Sequence, residues 1–157
     1  TIVRNARFWP VGLRGLDGVE ALAQYGLMDT REYMEWSNRE TFVIVQIEDR
    51  EAVDEIDGIA AVNGIDILLV GPGDLGQSYG CPGQFDHPKI REAIQRVSEA
   101  AQNHGKYWGI PCATLDNARE MIRLGARFIS VGSLIGVVQK GFLDIYREYT
   151  PLCADKL

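Results

Sequence analysis

The chain has 157 residues, of which 46% are hydrophobic and 24% charged, enough apolar material for one globular unit with a core of its own. A formal net charge of -6 leaves no basic excess to neutralise phosphates, so nucleic acid and anionic membrane surfaces are not the expected partners. The three cysteines, Cys81, Cys112 and Cys153, are widely spaced and form no CxxC pair, which speaks against a disulfide framework or a zinc site and for a reducing cytoplasm.

Residues 1–41 open on a Gly-rich loop, "PVGLRGLDG", followed by a pattern that predicts two short helices at roughly 17–25 and 30–39. From residue 42 onward, apolar runs of strand length alternate with helical periodicity, the mark of βα units around a parallel sheet. The strand candidates are "FVIVQI" (42–47), "DILLV" (66–70), "YWGI" (107–110) and "RFISV" (127–131). Their nearly continuous apolar character predicts cover on both faces.

Val53, Ile56 and Ala60 predict a helix ending near Asn63 and Gly64. Ile90, Ala93, Ile94, Val97 and Ala101 trace a helical stripe, with Asp86 as its expected cap and Pro88 in its first turn. A further stripe, Ala118, Met121 and Ile122, follows Asp116 and stops at Gly125. Four such strands suit a small doubly wound sheet or half of an eight-stranded barrel, and periodicity alone does not choose between them.

Ligands of parallel α/β folds bind at the carboxyl ends of the strands. Glu48 ends the first strand, and Asp74 follows the Gly-Pro-Gly turn after the second, one βα unit later. Two hard oxygen donors of this kind suit Mg²⁺ or Mn²⁺, but each residue could equally cap the helix that follows it. Gln46 shares a side of its strand with Glu48 and could bond a ligand or satisfy a buried backbone group. Gly71, Gly73 and Gly76 allow close approach of backbone to ligand, and the amides of Gly73 and Asp74 could form an anion nest. Arg14 could meet an anionic substrate group or lie solvated in its loop. His87 and His104 fall at helix ends, and no Ser, Cys or His arrangement suggests a nucleophile.

Several of these segments resemble the HpcH/HpaI family of metal-dependent pyruvate aldolases, TIM barrels of the phosphoenolpyruvate/pyruvate superfamily. "ARFWPVGLRG" is similar to that family's R-Y/F-P-P-x-G-x-R-G loop, "VQIED" to its Q-x-E segment, and "GIDILLVGPGDLGQSYG" to its G-P-x-D-L stretch. "HGKYWGIPCAT" and "GARFISVGS" continue the match in order.

The resemblance implies strands five to eight of a (β/α)8 barrel, with 1–157 a single partial domain and about a hundred residues preceding it. It implies Glu48 and Asp74 as ligands of a divalent metal (Mg²⁺ or Mn²⁺, with Co²⁺ a further option), Gln46 in the substrate site, and the amides of Gly73 and Asp74 on the pyruvate carboxylate. Pro111 stands where the family commonly has a leucine on the aldehyde side of the pocket. The implied reaction cleaves a 4-hydroxy-2-oxo acid to pyruvate and an aldehyde through a metal-stabilised enolate. The alternatives are an enolate-forming decarboxylase, a malyl- or citramalyl-CoA type lyase, or a non-catalytic metal-binding or assembly module. The family's catalytic histidine and enolate-steadying arginine fall outside these residues, so the chain alone is expected to be inactive. The last helix, from "IGVVQKGFLDIYREYT", is expected to pack on a neighbouring copy in a homo-oligomer.

Overall fold

The computed structural model describes residues 1–17 and 19–154; Gly18, inside the first of the expected N-terminal helices, lies outside them. Four strands form one parallel sheet in sequential order: β1 (Ile44–Ile47), β2 (Ile67–Val70), β3 (Tyr107–Cys112) and β4 (Phe128–Val131). Ile47 pairs with Val70, Leu69 with Gly109, and Pro111 with Ser130. The first crossover carries α3 (Arg50–Asp54) and α4 (Ile56–Ala60), the second α5 (Pro72–Ser78) and α6 (Pro88–Asn103), and the third α7 (Leu115–Arg123). The expected strands are all present: β1, β2 and β4 are trimmed at their starts, and β3 starts as expected and runs two residues further than its pattern suggested. It does so past its last recorded pair with β2, where it borders β4 alone and the missing N–H of Pro111 costs least.

The core lies on one side of this sheet. Val45, Ile47, Leu68, Val70, Trp108 and Ile110 meet Val53, Ile56, Ile90, Val97 and Met121 of the crossover helices. Along the other face a register row runs Gln46, Leu69, Gly109, Phe128, and none of these four joins that core. Among the described residues, the expected cover is therefore provided on one face only. Crossovers of one hand between strands in unbroken order all fall on one side, and a doubly wound sheet would need a reversal that these four strands lack.

The N-terminal segment holds α1 (Ile2–Ala6), a 3-10 stretch (Ala21–Gly26) and α2 (Thr30–Glu40). The helix expected over 17–25 is thus only a kinked single stretch, with Gln24 and Tyr25 at φ of 51° and 56° and Ala23 its one buried residue. Too little apolar surface is buried there to hold a regular helix. The helix expected from Val53 breaks at Glu55 into α3 and α4. One cap assignment shifts: His87 Nδ1, not Asp86, accepts from Lys89 N–H, while α7 is capped by Thr114, which accepts from Asn117 N–H. Asp86 pairs instead with Arg91 in the first turn of α6, and Asp116, inside the first turn of α7, pairs with Arg119 one turn on.

One buried cation ties this segment to the sheet. The Arg7 guanidinium, 7% exposed, donates to Asn38 O (2.9 Å), Thr41 O and Thr41 Oγ1 (3.1 Å), and pairs with Asp66 at 3.0 Å. Asp66 also accepts from Val43 N–H at 2.6 Å, so the N-terminal ends of β1 and β2 share the anion that Arg7 holds. Asn38 closes a reciprocal pair with the backbone of Phe8 beside it. Arg7→Met should lower unfolding stability by about 2–4 kcal/mol, because two carbonyls and a carboxylate lose their donor together. Urea unfolding of both proteins measures this, and a loss within error would mean water replaces the guanidinium at no cost.

Candidate functional site at the carboxyl ends of the first two strands

The parallel ladder carries β1 and β2 to the same level, and Gly71 N–H donates to Ile47 O at 2.9 Å, one residue beyond the strands proper. Glu48 leaves β1 at this level, half-buried, while Asp49 turns away and accepts from Ala52 N–H as the N-cap of α3. Capping is accordingly done by Asp49, and Glu48 keeps its carboxylate at the strand end. A two-residue run of acids hid this division of labour from the sequence. Helix preference for Asp over Glu at the cap was the signal that could have found it.

Across the ladder, α5 begins immediately after Gly71 with Pro72 in its first turn. Leu75 is fully buried and its N–H donates to Gly71 O at 3.0 Å, which pins the helix and presents Asp74, exposed, in the first turn. Asp74 caps nothing, and the N-cap Gly71 has no side chain for the purpose. The amides of Gly73 and Asp74 have no backbone acceptor, as first-turn donors do, and a Cβ on Gly73 would meet nothing within 4 Å.

Gly71 does the opposite. A Cβ there would fall 2.8 Å from Gln46 Nε2 and 2.9 Å from Glu48 Cβ, so the missing side chain is the space in which those two residues lie. Gln46 is exposed and donates from Nε2 to Glu48 Oε2 at 2.7 Å. Of the alternatives open to Gln46, it thus takes the carboxylate beside it and satisfies no buried backbone group.

Pro111 is exposed on the same face of the sheet, level with Glu48 and two strands away, a separation of about 10 Å by strand spacing. Ser130, its register partner, is exposed beside it. The remaining candidates lie elsewhere. Arg14 packs 4.7 Å above the Phe8 ring and bonds Ser37 and Glu20, holding its own loop. His87 caps α6 and His104 stands at its far end, 3.4 Å from Asp57. Cys112 is buried, and burial pushes its thiol pKa up, away from the thiolate a nucleophile would need.

For a divalent cation, the donors present are of the hard oxygen type, two carboxylates, with room at Gly73 for the waters that such an ion keeps. No group of three or more His, Cys, Asp or Glu forms a metal-holding cluster among the described residues, so Glu48 and Asp74 would be the only protein ligands of acidic type here.

The model of the HpcH/HpaI aldolase/citrate lyase family matches residues 1–140. The chain belongs to that family. Among relatives of this HpcH/HpaI member is the 5-keto-4-deoxy-D-glucarate aldolase of Enterobacter sp. (strain 638), 38% identical over 135 residues, which cover 86% of this chain and 52% of that protein. The chain spans about half the length of the curated relatives it matches. Solved HpcH/HpaI structures align with it closely. A family protein from Burkholderia cenocepacia J2315 gives a TM-score of 0.81 at 35% identity, over 94% of this chain and 58% of that one. The HpcH/HpaI aldolase from Desulfitobacterium hafniense DCB-2 gives 0.79 at 29%, over 99% and 58%.

Two substitutions separate the roles of the adjacent acids. Asp49→Ala should cost about 1 kcal/mol of stability through the lost cap while leaving Mn²⁺ affinity unchanged. Glu48→Gln should do the reverse, because an amide oxygen lacks the charge that offsets metal dehydration. Thermal unfolding and Mn²⁺ calorimetry on both variants check the crossed pattern.

Proposed function

We propose that this chain carries the metal- and oxo-acid-holding part of a class II pyruvate aldolase, a carbon–carbon lyase. The observation that carries the reading is the placement of Glu48 and Asp74 at the ends of adjacent parallel strands, with Asp49 relieving Glu48 of the capping role. Glu48 and Asp74 hold a divalent cation, Mg²⁺ or Mn²⁺ by their hard oxygen chemistry. When bound, that cation supplies Lewis-acid polarisation of a keto oxygen.

The chain's own groups then do the following. The amides of Gly73 and Asp74 receive the carboxylate of a pyruvate-like 2-oxo acid. Gln46 lines the same pocket and steadies Glu48. Pro111 borders the side where the aldehyde stands. In the reaction a 4-hydroxy-2-oxo acid loses the proton of its C4 hydroxyl as the C3–C4 bond breaks, giving the aldehyde, and C3 takes up a proton to give pyruvate. Neither histidine of this chain stands at the strand ends where those protons move, so the acid–base groups come from outside these residues.

The four strands form one half of an eight-stranded barrel in this reading. The uncovered sheet face, bearing Leu69 and Phe128, and the two outer strands β1 and β4 with one free edge each favour a closing half. Assay of the full-length protein with pyruvate and a panel of aldehydes should show turnover abolished by EDTA and restored by Mn²⁺. Pro111→Leu should change relative kcat/KM among aldehydes by an amount worth about 1–3 kcal/mol, with the pyruvate requirement kept. Metal-dependent turnover of oxaloacetate alone, with no aldol activity, would favour the decarboxylase instead.

The partner is a second copy of the chain. The last helix, α8 (Leu134–Ala154), has no buried residue among Leu134–Leu152, and Ile135, Val137, Phe142, Ile145 and Tyr146 are all exposed on it. An apolar surface of this extent calls for cover. Light scattering on the full-length protein should give an oligomer that Phe142→Asp combined with Ile145→Glu dissociates.

A further inference from the structure

Gln46 and Gly71 bear on the candidate site in a way that the acids alone do not. The side chain of Gln46 runs from the middle of β1 up to the strand end, in the space that Gly71 leaves across the ladder. Opposite Gln46 in the register is Leu69, which offers no polar partner, so the amide's donor goes to Glu48 Oε2 at 2.7 Å. That bond sets the plane of the Glu48 carboxylate and engages one of its two oxygens. Oε1 is left as the oxygen with no partner among the described residues.

We propose that Gln46, seated by Gly71, makes Glu48 a one-oxygen metal ligand and so selects small octahedral cations over Ca²⁺. The inference rests on the reading of Glu48 and Asp74 as metal ligands and adds what decides between metals. Mg²⁺ and Mn²⁺ take six ligands in compact geometry, which single carboxylate oxygens and waters supply. Ca²⁺ is larger, takes six to eight oxygens, and gains from carboxylates that bind through both. With Oε2 already accepting from the amide at 2.7 Å, two-oxygen binding by Glu48 must either share that oxygen between the amide and the ion, which weakens its donation, or move Gln46 toward the backbone of Gly71 or out to solvent. The discrimination therefore lies in a neighbour of the ligand, as orienting partners commonly act in metal sites. Gln46 is a positioning residue in this scheme and needs no contact with the ion.

The test is a pair of titrations, with MnCl2 and with CaCl2, followed by calorimetry on the full-length protein and two variants. Gln46→Met keeps the length of the side chain and removes the donor. Gly71→Ala keeps the donor and fills its seat; Gly71 has φ of -98°, open to any residue, so this change acts through the new Cβ and not through backbone strain. In both variants the ratio of Mn²⁺ to Ca²⁺ affinity should fall by about 10-fold, the usual size of an orienting-partner effect. Circular dichroism confirms that each variant is folded. If the wild-type protein binds Mn²⁺ and the ratio is unchanged in Gln46→Met, or both affinities fall in step, the inference is overturned while the metal reading stands. If the wild-type protein binds no Mn²⁺, the metal reading fails and this inference fails with it.

Discussion

Parallel strands wound in a single direction must put every crossover helix on the same side, and most of what this chain can do follows from that. Val45, Ile47, Leu68, Val70, Trp108 and Ile110 all serve the helix side, where they build the core. The alternate positions, freed from packing against helices, are the ones on which polar residues can stand. Gln46 occupies one of them, and Glu48 continues the same parity past the end of β1. The polar candidate residues and the core therefore share one sheet without competing for the same side chains.

The two ends of the sheet have separate tasks. At the amino ends, Arg7 gathers Asp66, Asn38 and Thr41 and fixes where β1 and β2 start. At the carboxyl ends, Gly71, Pro72 and the buried Leu75 turn the chain straight into α5. Both ends rely on buried or backbone-bonded groups, so Glu48 and Asp74 are held by their neighbours and need no ion pair of their own. Family membership fits this division, since the segments shared with the HpcH/HpaI relatives include both the Arg7 loop and the strand-end acids.

Strands and the long α6 were legible because their signals are dense. Four apolar runs and a five-residue helical stripe leave little choice of structure, and all appear within a few residues of expectation. The kinked 21–26 stretch, the break at Glu55 and the identity of the caps were not legible, because each depends on a contact made only in three dimensions. Asp86 and His87 both suit a cap, and what separates them is that Arg91 claims Asp86. For the site, the residue types at strand ends were readable, whereas the sharing of labour between Glu48 and Asp49 was not. Nor was the seat at Gly71, since an absent side chain says nothing until its neighbours are known. One-sided cover was missed for a different reason: a nearly continuous apolar run does not say which of its two faces the helices will take.

Along β3, Tyr107, Gly109 and Pro111 take the uncovered face, and the two nearer the carboxyl end, Gly109 and Pro111, differ in how much change they can absorb. A Cβ at Gly109 would come within 2.6 Å of Phe128 Cβ, so that position is closed to every other amino acid while β4 stays where it is. Pro111 is exposed and forms the terminal stretch of the strand, where β2 no longer runs alongside. Diversification of this wall, whether by natural drift or by a directed library, is thus funnelled into position 111. The tight β3–β4 seam behind it stays as it is, and the shape of the face at position 111 can be revised one residue at a time without reopening the sheet.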